Sequence, residues 1–222
     1  MKNPFENFLG FLITVSVPVV ISGLSILILL SPIFMGLEYQ RPGFPPDNYG
    51  FSTQERLIFG NQTRRYLISN MTLADLEELR FEDGEPIYIE RELKHLEDVK
   101  IVLKGVSKVF WVAVGLVILG AVFAHYKDWW NGYKRAFSRG GWLTTALLGM
   151  ILVLSLVSFQ ALFTNFHLIF FEGNSWIFLY SDTLIRLFPI RFWQDIFLAL
   201  GITTLSGGVL VGWLLRESRR SE

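Results

Sequence analysis

Two histidines stand in surroundings that suit proton transfer. In RELKHLEDVK, His95 lies three positions before Asp98, so both side chains share one face of a helix. A carboxylate at that spacing can accept a hydrogen bond from one ring nitrogen and leave the other nitrogen as a base. The segment is also rich in charges, and an isolated H-x-x-D is more often a solvated helix face. The spacing therefore makes His95 a candidate base and Asp98 its candidate partner.

The second histidine, His167, lies among aromatic and apolar side chains in NFHLIFFEGNSW. Such neighbours cannot compensate a charge, which favours a neutral, basic ring near physiological pH. The alternative is a ring that is hydrogen-bonded at the membrane interface, with Asn165 as its partner. His125, beside Tyr126 at the predicted end of a helix, fits an interfacial role and receives no catalytic one.

The downstream stretch SDTLIRLFP predicts a short helix that ends before Pro189. Ser181 or Asp182 is its candidate cap, and Asp182 and Arg186 have the i,i+4 spacing of an ion pair. Such a pair is more often structural than catalytic. Trp176, between this helix and His167, fits either the floor of a lipid pocket or an anchor for the loop.

Several familiar chemistries have no signature in the chain. It contains no cysteine, which excludes disulfides, thiolate metal sites and a thiol nucleophile. There is no Walker loop, G-x-S-x-G elbow, H-E-x-x-H motif or dinucleotide fingerprint. Two histidines and a carboxylate could bind a metal, but their spacing is not typical of ligands. Acid–base chemistry without a cofactor or metal is therefore favoured.

The composition is that of a chain with lipid as part of its solvent. Of its 222 residues 51% are hydrophobic and 15% aromatic, and the mean hydropathy is +0.40. Lys and Arg together number 20, as do Asp and Glu. The chain therefore has no excess of positive charge that would attract a nucleic acid, and no nucleic-acid partner is expected.

Four segments offer close to the ~20 apolar residues that cross a bilayer. They are residues 8–36, 109–126, 142–163 and 196–215. We therefore predict an α-helical membrane protein with four transmembrane helices and a small mixed α/β extracytoplasmic cap. Residues 1–37 would contain helix 1, and residues 38–108 would form the cap that leads into helix 2. Residues 109–222 would contain helices 2–4. Within that last range we expect a cytoplasmic loop at 127–141, an outer loop at 164–195 and a cytoplasmic tail at 216–222.

The orientation follows from basic residues near the predicted spans. The loop 127–141 and the tail are rich in Lys and Arg, which resist translocation, so both should be cytoplasmic. These residues are Lys127, Lys134, Arg135, Arg139, Arg216, Arg219 and Arg220. Both termini would then be cytoplasmic, and the cap and both candidate histidines would face outward.

Three patterns predict the elements of the cap. Ser52 and Glu55 have capping-box spacing before an amphipathic helix. LRFEDGEPIYIE alternates around a glycine-containing turn, which is typical of a hairpin with Phe81, Ile87 and Ile89 near its apolar face. The run from Arg91 onward is helix-forming and should continue without a break into the second span.

The segments ERELKHLEDVK and FHLIFFEGNSWIFLYSDTLIRLFPIRFW together resemble the bacterial lipoprotein intramolecular transacylase family, Lit. The second motif is long and specific, and the four-span layout with a long first outer loop agrees with it. The resemblance implies a membrane enzyme that moves the sn-2 acyl chain of a diacylated lipoprotein onto the amino group of its N-terminal cysteine. It also implies His95 and His167 as catalytic residues. Supporting positions are Asp98, Trp176, Asp182, Arg186 and Pro189; Leu96 departs from the methionine common in the family.

The implied reaction suits the residues. Converting an ester to an amide is downhill, so no nucleotide or other cofactor is needed, and donor and acceptor belong to one molecule, so no acyl-enzyme is needed either. The partners expected are diacylated bacterial lipoproteins and membrane lipid, at the plasma membrane of a bacterium. Two alternatives stay open from the residues alone: a metal-dependent membrane hydrolase that uses the same histidines, and a non-enzymatic assembly or sensory protein in which they are structural.

Overall fold

The computed structural model describes residues 3–215, and within that range the secondary structure is entirely helical. In chain order the helices are α1 (Pro4–Leu29), α2 (Pro32–Gln40), α3 (Thr53–Ile68), α4 (Ala74–Glu77), α5 (Glu90–Tyr126), α6 (Trp130–Val157), α7 (Phe159–Phe170), α8 (Thr183–Leu187) and α9 (Ile190–Leu214). The predicted tail 216–222, with Arg216, Arg219 and Arg220, lies outside the described residues.

Four of these helices, α1, α5, α6 and α9, are long and apolar enough to cross a membrane. The prediction of four membrane-spanning helices is thus confirmed, although the predicted segment 142–163 is interrupted at Ser158, between α6 and α7. The described residues divide into two compact units: the first contains residues 3–27, 106–157 and 198–215, and the second contains residues 28–105 and 158–197.

The first unit packs through small residues. Ile13 and Val17 of α1 are fully buried together with Ala136 of α6. A Cβ atom on Gly141 of α6 would lie 2.5 Å from the backbone nitrogen of Gly212 in α9, so only glycine permits this approach. Close backbone contact through small residues is the usual way in which helices associate in lipid.

Helix boundaries differ from the predicted segments at three other places. The predicted helix over 1–37 is two helices, because Pro32 cannot continue α1 and Ser31 caps α2 by accepting a hydrogen bond from the Phe34 N–H. The predicted loop 127–141 is mostly helix, since α6 begins at Trp130. The outer segment 164–195 contains most of α7, all of α8 and the start of α9.

The second unit has its own hydrophobic core, built from residues of α3, α4, α5 and α8 and the segments that adjoin them. The buried members are Phe51, Tyr66, Leu76, Ile87, Tyr88, Leu93, Leu96, Leu184 and Leu187. The predicted capping box is confirmed: the Ser52 side chain accepts from the Glu55 N–H, and the Glu55 carboxylate accepts from the Ser52 N–H. The uninterrupted helix from the cap into the second span is also confirmed, as α5.

The prediction of a mixed α/β cap was wrong, because the described residues contain no strand. The predicted hairpin around Gly84 is a tight turn with a single isolated bridge between Arg80 and Pro86. The pairing extends one residue further, where the Ile87 N–H donates to the Leu79 carbonyl at 3.1 Å. It ends there because the Leu79 N–H donates to the Leu76 carbonyl instead. The next backbone groups have other partners: the Ile87 carbonyl accepts from the Thr183 hydroxyl, and the Ile89 N–H donates to the Glu92 carboxylate.

Candidate active site

The two predicted histidines come together inside the second unit. Their ring centroids are 6.0 Å apart, and the ring planes are inclined by only 19°. His95 lies in the second turn of α5 and His167 near the end of α7, and both side chains are buried. Two helices far apart in the sequence therefore place two imidazoles side by side.

Aromatic rings surround the pair. Phe171 and Phe178 contact His95 edge-on, with centroids 4.9 and 5.3 Å away. Phe163 and Trp176 lie against His167 at 4.2 and 4.9 Å. The histidines are thus held in a largely apolar enclosure, as the aromatic-rich sequence around His167 predicted.

The hydrogen bond made by His167 determines its tautomer. Its Nδ1 atom lies 2.7 Å from the backbone carbonyl oxygen of Phe163. A carbonyl oxygen can only accept, so Nδ1 must carry the hydrogen and donate. In the neutral ring the lone pair is then on Nε2, which is the atom available to take a proton.

His95 has no comparable partner. Its Nδ1 atom is buried without a hydrogen bond, and no hydrogen bond in the described residues joins its ring to Asp98. The predicted orienting role of Asp98 is therefore not supported, because Lys94 attracts that carboxylate instead, at 3.4 Å and one helical turn away. On this exposed, charged face the ion pair satisfies Asp98 without the imidazole.

Burial keeps both rings neutral. His95 lies at the charged start of α5, well before the predicted span at residue 109. Its pKa is lowered to about 4, mainly by desolvation and also by the neighbouring His167, while Asp98 acts in the opposite direction. Desolvation also lowers the pKa of His167, opposed by the hydrogen bond to Phe163. At neutral pH the site therefore contains two uncharged imidazoles.

Two further polar atoms near the pair have no partner. The Trp176 indole Nε1 and the Ser175 hydroxyl oxygen are buried without a hydrogen bond. Both belong to the segment between α7 and α8, which turns at Gly173 with φ +65°. Buried donors in native proteins are nearly always paired, so these two groups require an explanation.

The segment that carries Trp176 and Phe178 is fastened at its far end by Asp182. Its carboxylate accepts from the Leu179 N–H at 2.8 Å and from the Arg91 guanidinium at 2.6 Å. Arg91 also lies over the Phe178 ring, 5.4 Å from its centroid. Asp182 thus positions the aromatic wall of the site and contacts neither histidine.

The predicted Asp182–Arg186 pair was wrong. Arg186 donates from Nε and Nη2 to the two oxygens of Asp47, at 3.2 and 3.1 Å, and lies 3.8 Å above the Phe51 ring. The fork of the guanidinium matches a carboxylate across the fold better than the neighbour on its own short helix, which is already engaged with Arg91. Asp182 is the N-cap residue of α8 but makes no side-chain capping bond to it.

Asn165 lies away from the rings. It is exposed, and its side chain donates to the Ala161 carbonyl at 2.8 Å, within its own helix. The predicted hydrogen bond to His167 is therefore absent from the structure.

Sequence reasoning missed Glu92, one turn before His95. This carboxylate is 1% exposed and accepts from the Leu184 N–H at 2.6 Å and the Ile89 N–H at 3.0 Å. It joins the start of α5 to α8. Its position three residues after Ile89 is a capping-box spacing, and that signal could have identified half of its role.

No set of three or more side chains in residues 3–215 converges in a way that could hold a metal ion. The histidine pair has no third ligand among the described residues. The donor set therefore does not fit the metal-dependent alternative.

Comparison with known proteins gives consistent results. A family model described as lipoprotein intramolecular transacylase Lit matches residues 10–193. An uncharacterised protein of Aquifex aeolicus (strain VF5) is 30% identical over 212 residues, which are 93% of this chain and 92% of the relative.

Solved structures show the same fold. The membrane-integral lipoprotein intramolecular transacylase Lit of Bacillus cereus, solved in meso, superposes with a TM-score of 0.79 at 18% identity, over 97% of this chain and 96% of that one. A histidine-to-arginine variant of the Bacillus protein gives a TM-score of 0.70 at 19% identity, over 96% and 91%.

Proposed function

Since the chain belongs to the lipoprotein intramolecular transacylase family, Lit, we propose that it moves the sn-2 acyl chain of a diacylglyceryl lipoprotein to the amino group of the N-terminal cysteine. The product is a lyso-form lipoprotein. The family activity is an acyl transfer in lipoprotein processing, and the four apolar helices agree with a membrane location. The sn-2 donor and the histidine chemistry are the specific parts of this proposal.

The pairing of His95 with His167 is the observation that carries the proposal. Their rings lie 6.0 Å apart in an aromatic enclosure. Acyl transfer from an ester to an amine needs one proton removed from the nitrogen and one delivered to the departing oxygen. Imidazole does both near neutral pH, and two such rings side by side can serve both positions.

His167 is the base in this proposal, because the Phe163 carbonyl fixes the hydrogen on Nδ1 and leaves Nε2 free. The amine nitrogen forms a bond to the ester carbonyl carbon while Nε2 takes its proton, and the carbonyl π electrons move to oxygen. The tetrahedral intermediate then re-forms the carbonyl and breaks the bond to the glyceryl oxygen. That oxygen receives the proton held by His167.

His95 acts as a neutral hydrogen-bond donor to the departing glyceryl oxygen. Burial lowers its pKa to about 4, so it does not compete with His167 for the amine proton. The remaining contribution is confinement: holding amine and ester together in an intramolecular reaction can be worth ~7–11 kcal/mol. The rings of Phe171, Trp176 and Phe178 form the walls that restrict the conformations of the substrate.

The proposed arrangement in the membrane has both termini in the cytoplasm, with the cap and the histidines outside. The basic residues of the 127–141 segment support this orientation. The substrate's acyl chains would then leave the outer leaflet where His95 and His167 lie.

The test is expression in a bacterium that lacks its own lipoprotein N-acylating enzymes, followed by mass spectrometry of the lipoprotein N-terminal peptide. We expect an N-acylated, singly O-acylated peptide of unchanged total mass. A free amine with both ester chains intact in a well-expressed sample would refute the proposal. Loss of one acyl chain as free fatty acid would instead indicate a hydrolase.

A further inference from the structure

The indole of Trp176 ends in a donor that has no acceptor. Its Nε1 atom is buried and makes no hydrogen bond. Buried tryptophan N–H groups usually find a partner, since their desolvation is otherwise uncompensated. An indole N–H can donate but not accept, so the missing partner must present a lone pair.

Trp176 is placed by the same contacts that form the histidine site. Its ring lies 4.9 Å from the His167 ring at an inclination of 34°. Phe178, two residues later, lies against His95 at 5.3 Å. The unpartnered N–H is therefore carried by a ring that touches the proposed base.

The rings of the other wall residues are phenylalanines, which offer no hydrogen bond. The acceptor that the chemistry requires is an oxygen: as the amine attacks, the ester carbonyl oxygen gains a full negative charge. A fixed donor in a dry, aromatic enclosure stabilises such a charge much more than water does, because it needs no reorganisation during the reaction.

We propose that the Trp176 indole N–H donates to the carbonyl oxygen of the sn-2 ester and stabilises the oxyanion of the tetrahedral intermediate. This inference rests on the proposed acyl transfer. In that step the N–C bond forms, His167 Nε2 takes the amine proton, and the π electron pair moves onto the oxygen that Trp176 holds. On collapse the pair returns to form the amide carbonyl, and the glyceryl oxygen leaves with the proton. Trp176 is thus a third catalytic residue.

The first test removes the N–H and keeps the ring. Trp176 is replaced by β-(3-benzothienyl)alanine, in which sulfur takes the place of the indole N–H, and in parallel by phenylalanine (Trp176→Phe). Both proteins are reconstituted with a synthetic diacylglyceryl lipopeptide and assayed by mass spectrometry. We expect kcat to fall about 10²-fold with KM changed less than threefold, since the hydrogen bond to the neutral ester carbonyl is weak and strengthens as the oxyanion forms.

The matched control is the same pair of substitutions at Trp111, which is exposed on α5. These variants should retain wild-type kcat and KM. Thermal unfolding of every variant shows whether the fold is preserved, and the benzothienyl side chain keeps the packing if phenylalanine does not.

The second test detects the hydrogen bond itself. A lipopeptide with an acetylated N-terminus cannot react, and a ¹³C label at its sn-2 carbonyl gives an isolated infrared band. We expect this band to shift to lower frequency on binding to the wild type, and to lose that shift with the benzothienyl variant. A purely structural role for Trp176 would not move this band.

The outcomes separate the two proposals. If the wild type transfers no acyl chain, the proposed function fails. If the wild type is active and the benzothienyl variant keeps kcat within threefold, or the carbonyl band is the same in both, the role of Trp176 is wrong while the transacylase activity stands.

Discussion

The Nδ1 atom of His167 lies 2.7 Å from the carbonyl oxygen of Phe163, one turn earlier in α7. A carbonyl oxygen has two lone pairs, so it can accept from the ring in addition to a backbone N–H of the helix. The hydrogen bond holds the ring in one tautomer and one orientation. His95 has no such restraint, and this asymmetry gives the two rings different roles.

Replacing either histidine should abolish most of the transfer. His167→Asn keeps an N–H near the Phe163 carbonyl but removes the base, so we expect a 10²- to 10⁴-fold lower rate, the range that general acid–base groups contribute. His95→Ala should cost less, since it removes a hydrogen-bond donor and leaves the base. Rates are measured on the lipopeptide by mass spectrometry. His125→Asn is the matched control, because that exposed ring lies in the other unit. Near-normal activity of His167→Asn would exclude it as the base.

The unfolding free energy of the protein should depend on pH because His95 is buried. The folded state lowers the pKa of this ring from 6.5 to about 4, so the unfolded chain binds more protons between these values. Unfolding free energy therefore rises with pH in that window; the contribution is complete above 6.5 and is lost towards pH 4, about 3 kcal/mol in total.

The measurement compares the unfolding midpoints of the wild type and His95→Phe in lipid nanodiscs from pH 7.5 to 4.5. The pKa of Glu38 is raised to about 7 by burial and by the adjacent Asp195, which gives an opposite slope. Glu38 is present in both proteins, so its effect cancels in the difference. Parallel curves for the two proteins would contradict the expected burial of a neutral imidazole.

Glu92→Gln should loosen the attachment of α8. The carboxylate accepts from the N–H groups of Leu184 and Ile89, and an amide can offer only one oxygen to these two donors. One buried N–H is then left facing an NH₂ group, which costs about 1–3 kcal/mol. Thermal unfolding measures the loss, and Glu90→Gln, an exposed neighbour in the same turn, should change stability by less than about 0.5 kcal/mol. Equal effects of both variants would remove Glu92 as a structural link.

Asp98→Asn should leave acyl transfer within threefold of the wild type. The carboxylate pairs with Lys94 on an open helix face and has no hydrogen bond to His95. The measurement is the initial rate of acyl transfer on the lipopeptide. Glu97→Gln, the neighbouring residue in α5, is the control. A fall of a hundredfold with an intact fold would restore the His95–Asp98 dyad that the spacing suggested.

Two double-mutant cycles distinguish the ion pairs of the cap. Asp47 and Arg186 are mostly buried and joined by two hydrogen bonds, so Asp47→Asn combined with Arg186→Gln should show a coupling of about 1–3 kcal/mol in unfolding free energy. The cycle of Asp182→Asn with Arg186→Gln should give a coupling close to zero, since Asp182 pairs with Arg91. A large coupling between Asp182 and Arg186 would instead indicate that these two residues form an ion pair.

Residues with strong local patterns were predictable. The apolar runs that became α1, α5, α6 and α9 have the length and composition of membrane-spanning helices, and neither property depends on the rest of the fold. The Ser52–Glu55 capping box is likewise local, because both partners lie within one turn. The helix break before Pro32 also has a local cause. The break is hard to predict because the apolar run continues through it.

Partner choice among charged side chains was not predictable. Asp182 has Arg186 at helical spacing, yet the fold supplies Arg91 from another helix. Asp98 has both His95 and Lys94 at helical spacing, and it pairs with Lys94. The predicted hairpin at Gly84 failed for a related reason: the Ile87 carbonyl and the Ile89 N–H bond to Thr183 and Glu92 rather than to a second strand.

The sequence by itself determined the membrane helices, the two histidines as candidates and the aromatic character of their surroundings, since these depend on residue types and short spacings. Only the tertiary structure decided that the rings of His95 and His167 stack, that Phe163 selects the tautomer of His167, and that Trp176 presents an unpartnered donor beside it. Those relationships depend on how α5, α7 and the segment after α7 pack within one unit, and the energy of packing is spread over contacts between residues distant in the chain.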